Sequence, residues 1–273
     1  MPTAQMVLPC AGNRIGTWDI STAVYHSSLS VSAQVTNPQG IYFTPDGKVM
    51  LVTDNYNSGS PYSRICKYTM TKPWDLSTAS YVNSYTYSSN GFNGGMFSDD
   101  GTALFFRNST ALYQRACSTP FDVSTATGLG GSDYEPTTYP GTYNGMSFCI
   151  DGTVLFATQA TSASIRQYNL KSNFYVGNGA SQGNTSFSSQ TSSVGGMWAR
   201  NDGKKFYLAG MTTPTVYQYT LATPGALSSA NYDSKSFSMS AKFSYCYGIY
   251  ISPDGLNLFA VGNNANVWRW TLT

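Results

Sequence analysis

Histidine and glutamate are almost missing from this chain of 273 residues, which has one of each, His26 and Glu135. Charged residues make up 10% of the sequence, against roughly 25% in an average soluble protein. With so little Glu and Lys there is no material for long solvated helix faces, which excludes a helical bundle. A net charge of +2 provides no basic field for nucleic acid or an anionic membrane surface. No apolar run approaches the roughly 18 residues of a membrane span. The opening MPTAQMVLPC has no basic region followed by a long apolar core, so no secretory signal is expected. The cysteines Cys10, Cys66, Cys117, Cys149 and Cys246 form no CxxC pair and no zinc-type spacing. Their number is odd, so they are expected as small buried side chains of a chain folded in a reducing cytoplasm.

Tyr, Phe, Gly and uncharged polar residues are plentiful, which favours strands joined by tight turns. The dipeptide Asp-Gly recurs at Asp46, Asp100, Asp151, Asp202 and Asp254, and six residues before each Asp stands Gly40, Gly94, Gly145, Gly196 or Gly248. An apolar run precedes each Asp-Gly and another follows it, as in GIYFTPDGKVMLVTD. Asp and Gly supply the turn of a hairpin between the two runs. A third run alternates (ICKYTM, LYQRAC, IRQYNL, VYQYTL, VWRWTL) and reads as a half-buried strand. A fourth, more polar run such as NYDSKSFSMS reads as an exposed outer strand. Between third and fourth runs lies a turn element, TWDIST, PWDLST and PFDVST at its most regular, in which Asp accepts from backbone N–H groups just downstream. It weakens at Phe174-Tyr175 and at PGALSS.

A four-stranded unit of this size cannot bury both faces alone, so the units are expected to stack radially. The predicted fold is an all-β, five-bladed β-propeller of four-stranded antiparallel blades, forming a single domain over residues 1–273. The chain stops after the third strand of the fifth unit, and Ala23–Ser32 is expected to supply the missing outer strand and close the ring, removing open sheet edges. Residues 1–22 then form an extra N-terminal ribbon; six blades, one incomplete, is the alternative.

The repeats GIxFxPDG and YxYTL resemble the blades of WD40-like and YVTN-like propellers. The YQYTL and PWDLSTASY units are more closely similar to a propeller repeat of bacteriophage tail and virion proteins. That resemblance implies a non-enzymatic structural or adhesion protein of a virion: a spike, fibre or decoration propeller. It would be made in the host cytoplasm without a signal peptide and would bind other virion proteins or a host-surface glycan. A bacterial lectin-like or scaffold propeller is the alternative, and a weak hydrolase or lactonase the third reading.

Little catalytic chemistry is visible. One His supports no nucleophile–base arrangement, and most Asp residues belong to the turns. Ser98-Asp99-Asp100-Gly101-Thr102 partly resembles the Asp-box of sialidases, a structural motif by itself. Asp54 with Asn93 and Asn144 makes a poor oxygen set for calcium. No catalytic residue, metal or other cofactor is therefore expected. Recognition is assigned to loops before the first strand and between second and third strands. The candidates are Gln39, Tyr56, Asn93, Arg107, Tyr143, Asn144 and Tyr247, with Arg107 suited to a bidentate carboxylate contact.

Overall fold

The computed structural model describes residues 16–55, 63–87, 91–107, 111–128, 145–159 and 162–273. Five antiparallel sheets of four strands follow one another around a ring. Blade I holds β2 (Pro38–Phe43), β3 (Val49–Asp54), β4 (Ser63–Met70) and β5 (Ala79–Tyr87). Blade II holds β6 (Gly95–Phe97), β7 (Ala103–Arg107), β8 (Leu112–Cys117) and β9 (Ala126–Gly128). Blade III is β10 (Met146–Cys149), β11 (Val154–Gln159), β12 (Ser164–Asn169) and β13 (Ala180–Ser186). Blade IV is β14 (Val194–Ala199), β15 (Lys205–Gly210), β16 (Thr215–Leu221) and β17 (Ala230–Ser238). Blade V takes β18 (Cys246–Ile251), β19 (Asn257–Gly262) and β20 (Asn266–Thr271) from one end of the chain and its outer strand, β1 (Val24–Ser30), from the other. The ring therefore has five blades and is closed by the N-terminal strand, with Val24 opposite Thr271 and Ser30 opposite Asn266.

Burial follows strand position. The inner and second strands of blade I are almost wholly buried, whereas the outer strand β13 is almost wholly exposed. Aromatic rings pack across the blade junctions: Phe43 lies 4.2 Å from Phe259, Phe105 4.9 Å from Phe148, and Phe156 5.7 Å from Phe206. Each such ring removes large apolar area from water and adds edge or tilted ring contacts. The cysteines Cys66, Cys117, Cys149 and Cys246 are buried and unpaired, and burial pushes their thiols up, to about 12 for Cys149. Cys10 lies outside the described residues. No described helix is long and apolar enough to cross a membrane.

The repeated turn element forms a one-turn 3-10 helix in every blade, at Ile20–Thr22, Leu76–Thr78, Val123–Thr125, Val176–Asn178 and Leu227–Ser229. Asp19, Asp75 and Asp122 accept from the backbone N–H of Ser21, Ser77 and Ser124. The turn survives at Val176 and Leu227 without that cap. There, Gln167 of blade III accepts from the Leu227 N–H and Gln114 of blade II from the Val176 N–H; Gln218 of blade IV likewise accepts from the Ile20 N–H. A glutamine of the third strand thus stitches one blade to the turn of the next.

The hairpin glycine has a second reason to be glycine. The aromatic residue of the turn element lies on it, itself in the left-handed region: Trp18, Trp74, Phe121 and Phe174 have φ of 58°, 65°, 58° and 52°. A Cβ on Gly47 would sit 2.3 Å from the Trp74 ring, and one on Gly152 2.4 Å from Phe174. Blade IV has Gly225 at the aromatic's position, and Ile150 of blade III fills the gap, its Cδ1 2.5 Å from where a Gly203 Cβ would be. Ile150 does so at φ 51°, a costly conformation for a β-branched residue. Its N–H donates to the Asn201 carbonyl at 2.6 Å, and the Asn201 side chain accepts from the Asp151 N–H and donates to the Asp151 carboxylate.

Candidate functional site

The inner strands bring the five repeated glycines together around the axis. A Cβ on Gly40 would lie 2.6 Å from the Cα of Gly94, one on Gly248 2.9 Å from Gly40, and one on Gly196 2.8 Å from Gly248. Such backbone approach admits no side chain. The ladders slip register at this level in blades I and V, between Pro38 and Gly40 and between Cys246 and Gly248. A slip of this kind bends a strand locally. The result is a glycine collar that narrows the channel near the loops preceding the inner strands.

Beyond the collar the strands carry side chains and the space opens. A cavity of about 970 Å³ runs from the collar to the Asp-Gly hairpins. Aromatic rings form its wall: Trp198 is 6.1 Å from Tyr250, Tyr250 5.9 Å from Tyr42, and Tyr42 6.3 Å from Phe97, each pair close to edge-on. Trp18 stacks on Trp198 at 5.7 Å, and the Arg200 guanidinium covers Trp18 from 5.1 Å. Nearer the mouth stand Asp46, Asp99, Asp151 and Asp202, with Lys48 and Arg200.

The polar groups of this funnel divide into committed and uncommitted. Asp46 accepts from the Thr44 hydroxyl and the Lys48 N–H, folding back on its own turn. Asp202 is held by Arg200 and by the Lys204 N–H. Asp151 accepts from Asn201. Asp99 has no hydrogen-bond or ion-pair partner among the described residues. Crowding by protein in the funnel wall raises its pKa, and the nearby carboxylates of Asp151 and Asp100 raise it further. Tyr42 and Tyr250 are 8% and 6% exposed, and their hydroxyls have no partner among the described residues. Neither oxygen is sealed from solvent, so both open on the cavity they line. Burial raises the pKa of each phenol far out of reach, with the charge of Asp99 adding to it, so both are neutral donors at any physiological pH.

The residues singled out in the sequence are placed differently. Tyr56, Tyr143 and Asn144 lie outside the described residues. Gln39 and Asn93 are buried beside the collar, Gln39 donating to Asn37 at 3.0 Å. Arg107, expected on a loop, ends β7 and has no exposed surface. Tyr247 alone of the described four lines the cavity, from the collar end, and stacks on Tyr245 at 6.3 Å. Asp54 is fully buried, paired with Arg64 at 3.1 Å and accepting from the Thr36 and Asn37 N–H groups. It braces a loop and is not free to ligate. Among the described residues no three His, Cys, Asp or Glu side chains gather as a metal set. Sequence reading favoured the loops at the collar end because loops carry most recognition. The concave space lies at the other end, behind hairpins read only as turns. The signal available was Asp99, an acid where the other turns have Pro45, Ile150, Asn201 and Pro253.

No family model and no curated protein matches the chain. Many solved structures share its architecture. A periplasmic gluconolactonase of Pseudomonas aeruginosa aligns with a TM-score of 0.53 and 13% identity, over 82% of this chain and 62% of its own. A functionally unknown protein of Desulfotomaculum acetoxidans aligns with a TM-score of 0.49 and 15% identity, over 83% and 65%. The chain thus spans less than two thirds of the length of either protein. At this identity the likeness is one of fold, a β-propeller, and no phage repeat family emerges from it.

Proposed function

We propose that this chain is a non-catalytic recognition propeller whose funnel between the Asp-Gly hairpins receives the ligand. The observation that carries this reading is the pair of partnerless hydroxyls, on Tyr42 and Tyr250, opening into an aromatic-walled cavity. Buried polar groups in folded proteins almost always find a partner. A large, mostly apolar cavity with a few convergent polar groups is the usual form of a small-molecule site. The lone histidine, His26, stands exposed on the outer strand β1 beside Ser27 and is not among the residues lining the cavity, so acid–base catalysis has no imidazole here. The setting we propose is a virion, where the propeller would bind a host-surface glycan or a neighbouring virion protein. That part rests on the YxYTL and PWDLSTASY repeats. Two measurements test the proposal. A glycan and metabolite screen read by tryptophan fluorescence should give saturable binding that Trp198→Ala abolishes. Mass spectrometry of density-purified particles should find the chain at fixed ratio to the capsid protein. Binding unaffected by Trp198→Ala would move the site elsewhere, and absence from particles would favour a bacterial binding propeller.

A further inference from the structure

The funnel's wall is aromatic and its mouth carries more carboxylate than cation. Arg200 is spent on Asp202 and on the face of Trp18. Lys48 also lines the cavity, two residues from Asp46, to which its backbone N–H donates. Among the described residues, Asp99 and Asp151 have no ion-pair partner. An aromatic face presents negative charge density, so a cation bound against it is attracted by the ring as well as by the acid. The funnel already contains one instance, Arg200 over Trp18. A neutral ligand would satisfy the two tyrosine hydroxyls but leave the mutual repulsion of Asp99 and Asp151 unrelieved.

Resting on the recognition reading above, we propose that the funnel binds an alkylammonium group, seated among Tyr42, Trp198 and Tyr250 with Asp99 as its counter-charge. The raised pKa of Asp99 agrees with this: burial raises it first and neighbouring carboxylates raise it further, and no cation among the described residues opposes them. The charges contributing to that rise are Asp151 from blade III and Asp100 on the same turn. The tyrosines suit the role twice over: their rings face the cation, and their hydroxyls are left to bond the ligand's polar stem.

The test is a calorimetric titration of the full chain with choline and with its uncharged isostere, 3,3-dimethylbutan-1-ol. Choline should bind in a saturable way, and the isostere about tenfold or more weakly. Asp99→Asn should weaken choline by about tenfold while leaving the isostere unchanged; a circular-dichroism melt confirms that the variant folds. Trimethyl-lysine and glucosamine, titrated alongside, separate a protein side chain from a lipid head group or an amino sugar as the source. Binding of any of these cations with the same Asp99 dependence upholds the proposal. Equal affinity for choline and isostere, or tighter binding of a neutral sugar, overturns it and leaves a recognition funnel of another specificity. Failure of every cation, glycan and metabolite to bind overturns both readings.

Discussion

The two ends of the channel are built on opposite principles. At the collar, backbone meets backbone: Gly40, Gly196 and Gly248 each lie where a Cβ would strike the next blade. At the funnel, side chains meet, and no two blades contribute the same set. Two residues past the collar glycine stand Tyr42, Met96, Ser147, Trp198 and Tyr250. At Gly40, Gly196 and Gly248 the collar tolerates one residue type and therefore repeats; the funnel only needs its wall filled and can vary. In a repeat protein, shared positions report on assembly, and departures from the repeat report on what the assembly is for.

Removing residues 1–32 should have the largest effect, because it takes β1 and Trp18 from blade V and opens the ring. The truncated chain should be insoluble or unfolded at room temperature, checked by circular dichroism. Melting like the full chain would show that closure contributes little. Next, Gly248→Ala places a Cβ against the Gly40 backbone, which cannot swing away as a side-chain tip would. A loss of about 2–3 kcal/mol is expected in urea unfolding, whereas Met96→Ala in the funnel should cost less than half of that, because the space beside it is already open. Equal losses would erase the distinction between the two ends.

A smaller effect is expected where one blade completes another. Ile150→Ala should cost about 1–2 kcal/mol, less than a usual core truncation because relief of its left-handed backbone offsets part of the loss. Gly225→Phe alone should also destabilise, since Ile150 occupies the place of the ring. The double variant should recover stability, and a double-mutant cycle measures that coupling. The smallest effect is electrostatic. The folded-state pKa of Asp99 lies above its unfolded value, so its ionised form disfavours folding at neutral pH, and the penalty fades as pH falls through the folded pKa. Asp99→Asn should therefore raise stability at pH 7 by under about 1 kcal/mol, solvent screening an exposed carboxylate, and raise it less at acidic pH. Asp75 has the opposite sign: the Ser77 hydroxyl, then the Ser77 N–H, hold it below its ordinary value, so its contribution is present at neutral pH and lost on acidification.

The blade count, the hairpins and the closing strand were legible because each rests on a repeated local requirement. Asp46, Asp100, Asp202 and Asp254 each accept from the N–H two residues on, a bond that spacing alone foretells. The collar was half legible: the glycines were visible, but that they touch each other across blades is a property of the ring. The funnel was not legible, since Trp198, Tyr42 and Tyr250 are ordinary strand residues in sequence and become neighbours only through closure. Arg107 shows the converse: it reads as a loop charge next to RNST and is carried inside by the end of β7.

Blade V is made from both ends of the chain, and this has a consequence for attachment. The Thr17 hydroxyl donates to the Thr273 carbonyl at 3.1 Å, and the Thr273 N–H to Thr22 at 3.0 Å. Trp18, one residue from that junction, is part of the funnel wall. A segment joined after Thr273 would therefore leave the ring beside the funnel's mouth. A module tethered there by a short flexible linker would meet the cavity at a local concentration in the millimolar range. The closure that locks the ring also holds Thr17 and Thr273 together next to the place where a ligand would enter.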